Sequence, residues 1–115
     1  MDLSKLRIEY ESIGLSKSDL APDWHEQLGN WIDAAVDAEL AEPNGMVLAT
    51  ADRDGIVQSR IVLLRELTDA GLVWFTNYDS DKARALADNP VASVTFPWLG
   101  LLRQVNVAGP VERID

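Results

Sequence analysis

Gln58-Ser59-Arg60-Ile61-Val62-Leu63-Leu64-Arg65 is the stretch on which the reading of this chain turns. It reads as the heart of a strand from Ile56 to about Glu66, with cations set among apolar positions. Just upstream, Met46 to Thr50 is a short apolar strand. Between the two lies Ala51-Asp52-Arg53-Asp54-Gly55, whose Asp-Gly pair supplies the positive φ of a tight hairpin turn. Downstream, Thr68-Asp69-Ala70-Gly71 turns the chain into Leu72-Val73-Trp74-Phe75. Three antiparallel strands in a meander are therefore expected.

Outward from that centre the hydrophobic period changes. Asp23 with Glu26 three residues on forms a capping box, and Trp24, Leu28, Trp31, Ile32, Ala35 and Leu40 make one apolar helix face that Pro43-Asn44-Gly45 ends. His25 falls off that face and is expected at the surface. Ser80 is an N-cap for a second helix through Ala87, stopped by Asn89-Pro90. Val91 to Phe96 reads as a fourth strand, Pro97 to Gly100 as a turn, and Leu102 to Ile114 as a fifth strand broken at Gly109-Pro110. The fold class is mainly β with helices, an α+β barrel or curled sheet in residues 22–115, preceded by an N-terminal arm over residues 1–21. Because the chain stops just after a strand, an open sheet edge is expected.

With 115 residues this is one small domain. No apolar run approaches the roughly 20 residues that cross a bilayer, and the first ten residues lack the apolar core of a secretory signal. No membrane association is expected, and the cytoplasm is the expected location. Absence of cysteine removes disulfides, thiolate metal sites and cysteine nucleophiles, and a single histidine is too few for a histidine-based metal centre. Net charge is −9, yet residues 1–54 hold 12 acids and 4 bases whereas residues 55–115 hold 7 acids and 6 bases. Nucleic acid, which needs a basic stripe, is an unsuitable partner. A small anion, needing only a local cluster, suits the second half.

Such a cluster is present. Arg60, followed by the apolar run Ile61 to Leu64, is expected to be at least half-buried and to need an anion, because an unpaired buried guanidinium is costly. The first turn of the helix at Ser80 offers free backbone N–H groups and a favourable dipole, with Lys82 beside it. Plain capping explains Ser80 equally well, and Asp81 opposes an anion locally. Strict alternation puts Arg60 and Arg65 on opposite faces of their strand, so one ligand could use both only through a bulge, over the strand end, or at an interface. Trp74, Phe75, Tyr78, Phe96 and Trp98 gather near the same strand ends, mostly as core, and could also wall a flat ring. Gln104 could direct an amide hydrogen bond to a polar ring edge.

Taken together, several separated motifs in order resemble the pyridoxine (pyridoxamine) 5′-phosphate oxidase family of the FMN-binding split-barrel superfamily. They are Leu6 to Tyr10 with Gly14-Leu15, Met46 to Thr50, Arg60 to Leu64, Phe75-Thr76-Asn77, Ser80 with Lys82-Ala83, Asn89-Pro90, Phe96-Pro97-Trp98 and Arg103-Gln104-Val105. The resemblance implies an incomplete split barrel that binds FMN through Arg60, Ile61, Val62, Leu63, Leu64, Arg65, Phe75, Thr76, Ser80, Lys82 and Gln104, with Arg60 and Lys82 on the phosphate. It also implies that Arg7, Tyr10 and Arg65 meet substrate and that the FMN lies across a homodimer interface. The reaction implied is hydride transfer from the 4′ carbon of pyridoxine or pyridoxamine 5′-phosphate to FMN, with dioxygen reoxidising the flavin. None of the residues themselves is expected to be a catalytic acid, base or nucleophile. Three departures stand out: Arg65 replaces a usual lysine, Asp81 replaces a common basic residue, and the family's substrate-binding C-terminal half has no counterpart in this sequence. The alternatives are a flavin or deazaflavin binder without oxidase activity and an association domain without cofactor.

Overall fold

In the computed structural model, residues 1–6, 20–76 and 80–114 are described. Helix α1 spans Trp24–Asp37, and the Asp23 side chain caps it by accepting from the Glu26 backbone N–H. It ends earlier than Pro43. Glu39 enters the left-handed region at φ 56°, while the N–H groups of Glu39 and Leu40 bond back to the carbonyls of Val36 and Ala35. This is a Schellman closure with glutamate where glycine is usual, and it folds Leu40 back onto the core. Trp24 differs from its expected role in the apolar face: it is 47% exposed and lies against the ring of a half-buried His25.

The strands are β1 (Gly45–Ala51), β2 (Val57–Leu63), β3 (Glu66–Thr68), β4 (Gly71–Val73), β5 (Val91–Trp98) and β6 (Arg103–Pro110), with α2 (Asp81–Asp88) before β5. The predicted β1–β2 hairpin forms: Ala51 faces Val57 and Gly55 takes φ 80°. The Asp52 carboxylate accepts from the N–H groups of Asp54 and Ile56 inside the turn. Beyond it the meander fails. The long strand breaks at Leu64, whose N–H and carbonyl both bond to Asn44, while the Arg65 N–H crosses to the Val73 carbonyl. The chain therefore changes sheet at that corner, and β3–β4 is a separate hairpin. The main sheet has the order β2-β1-β5-β6, all antiparallel. At the other end β5 continues through Pro97 and Trp98, where a turn was expected, and a 3-10 turn at Leu99–Leu101 leads to Leu102 at φ 53°. Strand β6 stops at Pro110, short of Ile114.

One face of the sheet carries the core. Met46, Leu48, Val94, Phe96 and Trp98 are buried on it under Leu28 and Ala35 of α1, with Trp31, Ile32, Leu67 and Leu72 packed alongside. The Phe96 and Trp98 rings lie 5.1 Å apart, Trp31 meets Trp98 edge-on, and the Trp98 indole N–H donates to the Pro43 carbonyl at 2.9 Å. The other face is open, and β2 presents Val57, Ile61 and Leu63 on it, Ile61 being 75% exposed. The architecture is α+β, a curled antiparallel sheet that does not close on itself. No helix among the described residues is long and apolar enough to cross a membrane.

Candidate functional site

Helix α2 owes its position to both of its ends. At the C-terminus the Asn89 side-chain amide donates to the Ala51 carbonyl at the end of β1, and Arg53 in the hairpin turn pairs with Asp88 at 2.8 Å. That pairing raises the Arg53 pKa through the hydrogen bond and the charge of Asp88. At the N-terminus the Ser80 hydroxyl accepts from the Ala83 N–H at 3.2 Å and stands 3.5 Å from the Thr76 hydroxyl. Anchored at β1, the helix points its first turn at β2.

Between the two elements is a hollow of about 450 Å³, lined by Gln58, Ser59, Arg60, Ser80, Asp81 and Lys82. Arg60 is half-buried, and its Nη1 donates to the Thr50 hydroxyl at 2.9 Å and to the Leu48 carbonyl at 3.3 Å. Among the described residues neither Arg60 nor Lys82 is within ion-pair distance of a carboxylate. The acid in the lining, Asp81, is paired with Arg84 one turn along the helix. Two cations with no counterion among the described residues, two hydroxyl side chains and a helix N-terminus thus line one open space. The arrangement suits an oxyanion, and a phosphate monoester in particular.

The other predicted site residues are distributed unequally. Val62 and Leu64 pack into the core, so at those positions only backbone atoms are available to a ligand, whereas Ile61 and Leu63 lie on the open face. Arg65 sits past the corner, exposed, with its Cζ 4.9 Å from the centre of the Phe75 ring. Phe75 is 72% exposed and is not a core residue. Gln104 is exposed on β6, facing away from the core. Three strand spacings, about 14 Å, separate β6 from β2, so within one chain Gln104 is not brought to the hollow. Arg7 and Tyr10 lie outside the described residues. Four participants were not expected as site residues from the sequence: Gln58, Ser59, Thr50 and Arg84. Alternation along β2 places Gln58 beside Arg60, and Arg84 is three residues from Asp81 on a helix, so both had a local signal. Thr50 had a weaker one, as the polar member of the otherwise apolar Met46-Leu48-Thr50 face.

An open antiparallel sheet with a separate hairpin, one helix over the core and one at the sheet margin defines a split-barrel protein. A pyridoxamine 5′-phosphate oxidase-related, FMN-binding protein of Nostoc punctiforme shares this fold with a TM-score of 0.66 at 23% identity, over 80% of this chain and 47% of that one. PhzG of Burkholderia lata, solved with tetrahydrophenazine-1-carboxylic acid, superposes with a TM-score of 0.77 at 29% identity, over 81% of this chain and 46% of its own. The chain belongs to the pyridoxamine 5′-phosphate oxidase family, whose sequence model matches residues 32–115. It is 50% identical over 113 residues to the pyridoxine/pyridoxamine 5′-phosphate oxidase of Salinispora arenicola, which takes in 97% of this chain and 51% of that protein. With the enzyme of the same name from Deinococcus deserti it is 50% identical over 114 residues, 99% of this chain and 53% of that one. The chain spans about half the length of the curated relatives it matches.

Proposed function

We propose that this chain is the FMN-holding portion of a cytoplasmic, homodimeric flavin oxidase that converts pyridoxine or pyridoxamine 5′-phosphate to pyridoxal 5′-phosphate with dioxygen. One observation supports the reading above the rest: Arg60 and Lys82 line the same hollow at the start of α2 without carboxylate partners among the described residues, while Arg84 occupies Asp81. The donor set fits the FMN phosphate. In this reading Arg60 and Lys82 hold the phosphate charge, Ser80 and Thr76 bond its oxygens, and the backbone of Ile61 to Leu64 runs beside the rest of the cofactor. Bound FMN supplies the hydride acceptor and its reoxidation by dioxygen.

Arg65 and Phe75 extend the site past the corner, where the guanidinium is free to meet a substrate phosphate from above the aromatic ring. Arg7 and Tyr10 of the arm close over that substrate, and Gln104 reaches the cofactor from the second protomer. The open face carrying Val57, Ile61 and Leu63 is the surface on which that protomer sits.

The protein as its gene encodes it is expected to purify yellow, to bind FMN more tightly than riboflavin, and to release peroxide when given pyridoxamine 5′-phosphate. Arg60→Ala is expected to weaken FMN binding by roughly tenfold or more, since a hydrogen bond to a charged group contributes about 1.5–3 kcal/mol. Equal FMN affinities for the two proteins in a flavin-fluorescence titration would remove the site. Flavin binding without peroxide would instead favour a non-oxidase flavin binder, and a colourless protein that ignores FMN would favour an association domain.

A further inference from the structure

We infer that Thr50 is a positioning residue for the anion site, setting which edge of the Arg60 guanidinium faces the hollow; this rests on the phosphate reading of that hollow. Thr50 is only 3% exposed and is the buried polar side chain among the described residues. It occupies the core-facing row of β1 with Met46 and Leu48, where an apolar residue of the same shape would avoid desolvating a hydroxyl. The hydroxyl has a specific partner: it accepts from Arg60 Nη1 at 2.9 Å.

Register explains the geometry. Arg60 lies opposite Leu48 and Gln58 lies opposite Thr50, so the arginine side chain runs diagonally across the pair to reach its neighbour's partner. Nη1 then meets two acceptors from β1, Thr50 Oγ1 and the Leu48 carbonyl. A guanidinium has five N–H donors in a rigid plane, so fixing both hydrogens of Nη1 fixes the plane and leaves Nη2 and Nε to point elsewhere. Those two nitrogens have no partner among the described residues, and Arg60 lines the hollow. The long side chain is thus ordered before any ligand arrives, and binding does not have to offset that loss of freedom. The Leu48 carbonyl alone is a poor anchor at 3.3 Å. The threonine hydroxyl is the stronger and more directional of the two.

The test compares FMN with riboflavin, which differ by the phosphate alone. Thr50→Val keeps the shape and deletes the hydroxyl, and it is expected to lower FMN affinity about three- to tenfold while leaving riboflavin affinity unchanged. Thr50→Ser, which restores the hydroxyl, is expected to recover most of the loss. In an Arg60→Ala background the Thr50→Val change is expected to have no further effect on FMN, because the residue acts only through Arg60. A second measurement needs no variant: rotation about the Arg60 Cζ–Nη1 bond, followed by guanidinium NMR, is expected to be slow in the protein before flavin is added. If wild-type protein prefers FMN over riboflavin and Thr50→Val keeps the same preference, or if the Nη1 group rotates freely, the inference is wrong and the phosphate site stands. If wild type shows no preference for FMN, the phosphate site fails and the inference falls with it.

Discussion

Asp81→Asn is expected to tighten FMN binding while slightly weakening the fold, and the opposite signs make the substitution informative. Asp81 is the acid in the lining of the hollow, neutralised in part by Arg84. The magnitude follows for a phosphate taken at roughly 5 Å from the Asp81 carboxylate. A carboxylate and a phosphate dianion at that separation repel by about 1.7 kcal/mol in a water-like dielectric, and screening at physiological salt brings this to about 0.9 kcal/mol. The Arg84 charge offsets part of the remainder, leaving about 0.5 kcal/mol, or a two- to threefold gain in affinity for the asparagine variant. Against this, the helix loses a favourable acid in its first turn and an exposed ion pair, together costing less than about 1 kcal/mol. Flavin fluorescence titrated at low and at high salt reads the first effect, and urea unfolding without flavin reads the second. The gain is expected to be larger at low salt and to vanish at high salt, and riboflavin is expected to bind both proteins equally. A variant that binds FMN no better than wild type at low salt would refute the electrostatic account of the hollow.

Further outcomes follow from other parts of the molecule. Glu39→Gly relieves a left-handed residue at the end of α1 and is expected to raise stability by roughly 0.5–1 kcal/mol, seen as a higher urea midpoint with an unchanged slope. Phe96→Ala removes a fully buried ring stacked on Trp98 and is expected to cost about 3–5 kcal/mol, a large share of the stability of a small domain, so that thermal melting broadens or disappears. Ile61→Asp puts a charge in the centre of the open face of β2 and is expected to shift the protein from dimer to monomer in sedimentation velocity, with FMN affinity falling in parallel. An unchanged sedimentation coefficient would show that this face is not the contact between protomers.

Several features of the fold were legible because their signals are local. The Asp23 capping box, the Ser80 cap and the Asp-Gly turn before Ile56 each involve groups within a few residues of one another, and each appears where the residue types demand it. The corner at Leu64 was not legible. Ile61 to Leu64 is a continuous apolar run, and what breaks it is Asn44, twenty residues earlier, bonding to both backbone groups of Leu64. Likewise Pro97 reads as a turn residue, yet it lies in β5 opposite Gln104, and Trp98 beyond it is held in the core by the Pro43 carbonyl.

The amino-acid order alone determined the type of most elements, most of the core and the choice of Arg60, Ser80 and Lys82 as anion-site candidates, because period, capping and charge are properties of short windows. Only the tertiary structure decided that β1 stands between β2 and β5 and that the Thr50 hydroxyl accepts from the Arg60 guanidinium. Strand neighbours and guanidinium orientation depend on groups distant in the chain and on which face each residue turns inward. Such pairings carry no local mark, and they are chosen by the burial of one shared apolar face.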